Sequence, residues 1–253
     1  MTFLSLPWTS AFVSHPGAVR ADNEDAYLEA HDLGLWAVAD GMGGHEGGEI
    51  ASRMVIDALD SLEPAASRDA VVDNVRARLE AANSNIRQLS LSRYDGRLIG
   101  STVAVLVACD ERVVCLWAGD SRIYRWRAGG LERLTRDHNR AEELIELGLL
   151  DRAEAGSHAL SNMVTRAIGV IDNLAIDRRS ESVEQGDRFV LCSDGLNRVV
   201  SDDEIAGALD DPSCDSVAHE LLALALERGA TDNVTLGIVQ AGDTQEPTIV
   251  GKP

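Results

Sequence analysis

A mixed α+β domain of layered sheets with helices outside is the fold that this 253-residue sequence predicts, on three observations. Several stretches carry apolar residues three or four apart, the spacing of one face of a helix. Others are short, dense runs rich in β-branched residues and bounded by Gly and Asp, the signature of strands. These dense runs are apolar at nearly every position, so both of their faces must be covered. A sheet packed on a sheet, with amphipathic helices on the outer faces, meets that requirement.

Taken in chain order, residues 35–39 form the first strand. Residues 46–62 form a helix, with Ile50, Met54, Val55, Ala58, Leu59 and Leu62 on one stripe. A longer helix covers residues 68–92 through Val72, Val75, Leu79, Ala82, Ile86 and Leu89. Its apolar run is shorter than three heptads, which favours packing onto the domain over a coiled coil. Strands at 102–108 and 113–118 flank Cys109-Asp110-Glu111-Arg112, a connection of hairpin length. Leu144, Ile145 and Leu147 mark a short helix over 141–150. A strand follows at 189–192, and Ser201-Asp202-Asp203-Glu204 has the form of a capping box. Ala218, Leu221, Leu222 and Ala225 give a helix over 215–228, and a strand occupies 234–239. No internal repeat is present. Residues 1–240 are expected to form one domain, followed by a polar, flexible tail over 241–253.

Forty-two acidic residues against twenty-three basic ones leave a net charge of −19. Nucleic acid and anionic membrane are thereby excluded as partners, because both select a basic footprint. No run approaches the roughly 18 apolar residues of a membrane span. The first nineteen residues hold no Lys or Arg, so a secretory n-region is missing. The four cysteines form no CxxC pair and read as buried thiols of a reducing cytoplasm.

The most informative regularity is where the acids fall. Apolar strands run into Asp40-Gly41, Asp120-Ser121 and Asp194-Gly195, and Asp232-Asn233 immediately precedes the last strand. A fifth cluster, Asn23-Glu24-Asp25, opens another apolar segment. A single Asp-Gly is a turn signal. Five acidic clusters beside a core need compensation, and the adjoining bases (Arg20, Arg122, Arg198) are too few to supply it. Cations are the economical answer. The donors are carboxylates and backbone oxygens, with no HxxxH or HExxH pair and no calcium loop, which suits Mg²⁺ or Mn²⁺. The glycine-rich segment 41–48 lacks the Lys-Ser/Thr of a phosphate-binding loop. It instead lets backbone approach a metal closely, so that the Gly41 carbonyl can itself be a ligand. There is no GxSxG, which removes a serine-hydrolase elbow.

The motifs Gly17-Ala-Val-Arg20-Ala-Asp-Asn23-Glu24-Asp25, Val38-Ala-Asp40-Gly41-Met42-Gly43-Gly44 and Gly100-Ser101-Thr102 occur in that order. They continue with Ala118-Gly119-Asp120-Ser121-Arg122, Leu134-Thr-Arg-Asp137-His138 and Thr165-Arg-Ala-Ile-Gly169. Leu191-Cys-Ser-Asp194-Gly195-Leu196 and Thr231-Asp232-Asn233-Val234-Thr235 complete the set. With these the chain resembles the PPM (type 2C) family of metal-dependent protein serine/threonine phosphatases, in its bacterial form.

The resemblance implies a central β-sandwich of two antiparallel sheets flanked by pairs of helices, αββα. It implies two Mn²⁺ or Mg²⁺ ions at one end of the sandwich and a third, weaker position. Asp40 corresponds to the carboxylate bridging both ions, and Asp194 and Asp232 to the other ligands of the first. The Gly41 carbonyl and Glu24, directly or through water, serve the second. Asp120 and Asp194 hold the third. Asp25 is implied as an outer acid orienting water, and Arg20 as the phosphate clamp. Catalysis is then ascribed to Arg20, Asp25 and Asp40, with a metal-activated water attacking the phosphate of phosphoserine or phosphothreonine.

The family's flap maps to about 137–173, with Ser161 or its neighbours near the third ion. Where many eukaryotic relatives carry a histidine after Asp-Gly, this chain has Met42. A metal-held water then supplies the leaving-group proton, with His45 as the other candidate. The expected partners are phosphorylated proteins and a serine/threonine kinase acting on them. The alternatives are a catalytically silent module of the same fold that binds phosphoproteins, and a hydrolase of small phosphoesters.

Overall fold

The computed structural model describes residues 6–44, 46–151 and 159–242. Its strands make two antiparallel sheets. One orders β2 (Asp25–Ala30), β3 (Leu35–Met42), β5 (Val103–Cys109), β6 (Arg112–Ala118) and β9 (Asp177–Ser182), with β4 (Gly100–Ser101) on the end of β3. The other orders β1 (Trp8–His15), β11 (Val234–Ala241), β10 (Arg188–Cys192), β7 (Arg122–Arg127) and β8 (Gly130–Arg133).

Period-two alternation in the fully apolar strands explains how the layers hold together. Leu35, Ala37 and Ala39 of β3, with Val103, Val105 and Val107 of β5, join an apolar cluster with helices α1 (Gly47–Asp60) and α2 (Arg68–Arg93). The intervening Trp36, Val38, Ala104 and Leu106 point the other way and pack against Phe189, Leu191 and Val239 of the second sheet. The second sheet's outer face, through Val190, Cys192, Leu236 and Ile238, meets α5 (Asp202–Ala208) and α6 (Cys214–Glu227). Three apolar layers thus alternate with four layers of secondary structure, the αββα arrangement. Each fully buried Leu, Ile or Val contributes about 1.5–3 kcal/mol.

Sequence expectation and structure part company in two ways. Helix limits move by a residue or so: α1 starts at Gly47, α2 ends at Arg93 and α6 spans Cys214–Glu227. The short helix α3 covers Arg140–Glu146, because Leu147 caps it and Gly148 takes a left-handed φ of +67°. More consequentially, β1, β2, β7, β8 and β9 carry no dense apolar run. Strand β9 reads DRRSES, yet it pairs with β6 over six residues. Arg179 contacts Glu132 on β8 at 2.5 Å and Glu181 at 2.7 Å, so charge pairing supplies what an apolar face does not. The capping box is formed as expected, Ser201 and Glu204 each serving the other's backbone N–H. The cysteines are all buried and unpaired. Strand β11 runs through Ala241, and positions 243–253 of the expected tail lie outside the described residues.

Antiparallel pairing gathers the acidic clusters. Strand β2 starts and β3 ends at the same edge, with Asp25 opposite Asp40. Strand β6 ends there just before Asp120, across from the start of β5. In the other sheet β10 ends before Asp194 where β11 begins after Asp232.

The chain returning from the 137–173 segment is pinned to α2 by Asn83, only 3% exposed. Its Oδ1 accepts from Gly169 N–H (2.7 Å) and its Nδ2 donates to Ile171 O (2.9 Å). Asn83→Ala leaves both backbone groups unpaired, and it should lower unfolding free energy by about 1–3 kcal/mol in urea titration. An unchanged midpoint would show that the pin contributes nothing.

Candidate active site

A cavity of about 520 Å³ opens at this end of the sandwich. Asp22, Glu24, Asp40, Asp120, Asp194 and Asp232 line it, together with Arg20, Arg198, Thr102 and the Gly41-Met42-Gly43-Gly44 turn. Every metal-ligating position expected from the sequence is therefore in one place. Asp25 lies just behind the wall.

Backbone hydrogen bonds from several elements fix these side chains. Asp40 N–H donates to Thr102 Oγ1 (3.1 Å), whose hydroxyl also meets Ser121 Oγ at 2.6 Å. Ser101 Oγ and Thr102 N–H both donate to Asp40 O. Gly41 N–H donates to Glu24 O (3.1 Å). Asn233 staples the two chain ends: its Oδ1 accepts from Glu24 N–H (2.8 Å), and its Nδ2 donates to Pro16 O and Asp22 O. Ser193 Oγ reaches from the second sheet to Asp25 Oδ2 at 2.8 Å. Ser193, Asn233 and Ser121 were visible in the sequence only as neighbours of acids, and Thr102 only as the start of a strand. Their hydroxyl and amide chemistry beside each carboxylate was the available signal.

The carboxylates pay in desolvation for this placement. Burial raises Asp40 well above the ordinary carboxylate range, and the charges of Asp25, Asp194, Asp120 and Asp232 add to it. Burial likewise pushes Asp25 up to about 7 and Asp120 to about 8. Asp194 rises to about 6 by burial, against the pull of Arg198. Glu24 is raised by burial and relieved in part by Arg20.

Three of these acids, Asp25, Asp120 and Asp194, each keep a buried Oδ1 without a hydrogen-bond partner. Orphaned carboxylate oxygens at a common wall, in an all-oxygen donor set, fit hard divalent cations. Among the described residues no three carboxylates already close on one point as a finished shell. Arg20 Nη2 lies 3.1 Å from Asp232 Oδ1, and Arg198 pairs with Asp194 while reaching Asp232 Oδ2 at 3.6 Å.

Arg122 does not serve Asp120; it forks onto Asp137, with Nε and Nη2 at 3.0 and 2.7 Å. Ser161 turns its hydroxyl to Asn162 and does not line the cavity, whereas Asn162 and Val164 of the same segment do. Met42 lines the cavity as a side chain that cannot give up a proton, and His45 lies outside the described residues.

Gly48, in the first turn of α1, explains how Glu24 fits. A Cβ there would stand 2.6 Å from Glu24 Oε2, while a Cβ on Gly41 would stand 2.1 Å from Gly48 O. Gly48→Ala adds helix propensity of roughly 0.5–1 kcal/mol. It also displaces the Glu24 carboxylate, so Mn²⁺ affinity by calorimetry should fall while melting temperature holds. An equal fall in a Glu24→Gln background would refute the steric route. A second expectation concerns pH. Folded Asp25, Asp120 and Asp194 keep protons that the unfolded chain releases near pH 4, so stability is full below that pH and lost as pH climbs toward about 8. In chelator, melting temperature should drop from pH 5 to pH 8, and a rise over that range would contradict the burial of these groups.

Comparison with known proteins agrees with this geometry. The family described as Protein phosphatase 2C matches residues 15–228. The serine/threonine protein phosphatase PstP of Mycobacterium tuberculosis is 36% identical over 231 residues, 91% of this chain and 44% of the relative. The chain thus spans somewhat under half of that protein. Among solved structures, PppA, described as a key regulatory component of T6SS in Pseudomonas aeruginosa, is 41% identical with a TM-score of 0.86, covering 92% of this chain and 97% of its own. The catalytic domain of PstP, in complex with two manganese ions, is 35% identical with a TM-score of 0.83, covering 94% and 100%. Sequence, layer order and the acids gathered at one end agree: the chain belongs to the protein phosphatase 2C family.

Proposed function

We propose that this chain hydrolyses phosphoserine and phosphothreonine on proteins as a metal-dependent phosphatase of the cytoplasm, reversing a serine/threonine kinase. The observation that carries this reading is the single cavity where six acidic residues meet Arg20, with buried carboxylate oxygens left unpartnered around it. The family and the manganese-bound PstP domain support it.

Asp40, Asp194 and Asp232, with Glu24 and the Gly41 carbonyl, would hold two Mn²⁺ or Mg²⁺ ions, and Asp120 with Asp194 a third. The ions supply concentrated positive charge and Lewis acidity at the phosphoryl group. Arg20, now on Asp232, offers its planar fork to two phosphoryl oxygens. Asp25 is held by Ser193 with its other oxygen unpartnered, which suits it to orient an attacking water. A cysteine nucleophile has no support: no cysteine lines the cavity, and burial pushes the Cys115 and Cys192 thiols up to about 12. Residues 137–151 and 159–173 act as a flap beside the site within the one catalytic unit, residues 152–158 of that segment lying outside the described ones; Asn162 and Val164 at the cavity wall support this. Among the described residues no helix is long and apolar enough to cross a membrane.

The test is hydrolysis of a phosphothreonine peptide and an aryl phosphate, with and without Mn²⁺, by the chain and its Asp194→Asn and Asp232→Asn variants. Both substrates should turn over only with metal, and each variant should lose about 100-fold or more while still melting cooperatively. Peptide binding without turnover would mark a silent module instead, and turnover of the aryl ester alone a small-ester hydrolase.

A further inference from the structure

Arg198 lies outside the motifs that carry the family resemblance. We propose that it is a second phosphate-binding residue, gripping the phosphoryl group together with Arg20; this rests on the phosphatase reading above.

Position argues first. The one-turn helix α4 (Asp194–Asn197) leaves β10 directly, and Arg198 caps it, its N–H donating to Asp194 O at 3.0 Å. A guanidinium four residues beyond an expected ligand is thereby aimed back over that ligand. It pairs with Asp194 and lies 3.6 Å from Asp232, the carboxylate that Arg20 also meets. Two arginines from remote parts of the chain therefore converge on one acid at the cavity wall. Among the described residues lining that cavity they are the sole cations.

Availability argues second. Arg122, the nearest alternative, is spent: it forks onto Asp137 and also donates to Tyr124, with 19% of its side chain exposed. Arg198 is 34% exposed and rests on two carboxylates that divalent ions would claim. Cations on Asp194 and Asp232 neutralise the charge that now draws Arg198. Its donors then face the one strong acceptor entering the cavity, a phosphate dianion. A planar fork matches two phosphoryl oxygens where an ammonium offers only a point charge. Asp194 keeps Oδ1 free of any partner while Oδ2 meets Arg198, so cation and guanidinium need not compete for the same oxygen.

The experiment compares wild type, Arg198→Ala and Arg198→Lys, each loaded with Mn²⁺. Calorimetry gives Kd for inorganic phosphate and, separately, for Mn²⁺; kinetics on an aryl phosphate separates KM from kcat. Arg198→Ala should weaken phosphate binding about tenfold and raise KM in step, with kcat within a few-fold and Mn²⁺ affinity equal or tighter. Arg198→Lys should recover part of the loss. Unchanged phosphate affinity overturns the proposal. So does a loss of phosphate affinity that tracks a loss of Mn²⁺ affinity, because Arg198 would then only position Asp194. In either case wild type still hydrolyses ester, which leaves the phosphatase reading standing. A wild type that binds Mn²⁺ but neither phosphate nor ester overturns both.

Discussion

Negative charge held at the edge of an apolar sandwich is the constraint that organises this molecule. Isolated carboxylates in such a place protonate or are driven out toward water. Here they are retained because the backbone around them is tied down from both sheets. Thr102 and Ser121 hold the turn of Asp40, Ser193 holds Asp25, and Asn233 holds the segment of Glu24. Each tie uses a neutral donor or acceptor, which fixes position without cancelling charge. Arg20 and Arg198 pair with Asp232 and Asp194. The buried carboxylates keep an electrostatic demand that a divalent ion is suited to meet.

Much of this was legible in the residues. Strands buried on both faces announce themselves by composition, as in the run from Val103 to Cys109. Helices α1 and α2 declare their inner faces by spacing. Asp40, Asp120, Asp194 and Asp232 were findable because each adjoins such a strand, so locating the strands located these acids, whereas Glu24 and Asp25 adjoin β2, which has no such run. Edge and charged strands were not legible by the same rule. Strand β9 pairs on one side only and takes its support from Arg–Glu contacts to β8, which leave no periodic apolar trace. Strand β1 alternates weakly because its aromatic residues, Trp8 and Phe12, pack sideways onto Trp36 and Tyr27 at the junction of the two sheets.

Side-chain pairing was harder still to read. Arg122 follows Asp120 closely in sequence, but its strand direction turns it toward Asp137. Arg198 looked like a base near Asp194 and nothing more, until the one-turn helix showed that the spacing folds it over the cavity. Partners across a turn of backbone depend on dihedral angles, and local composition does not encode them.

The pairing of β1 with β11 joins residues more than two hundred positions apart, and Asn233 then clasps the loop that carries Glu24. Such long-range closure makes completion of the acidic end depend on β11. A nascent chain halted before Asp232 lacks both the clasp and β11, the strand that joins β1 to β10, so the second sheet cannot bring Asp194 and Asp232 to the acids of the first. Bringing the acids of both sheets together therefore waits on the segment from Asp232 through β11.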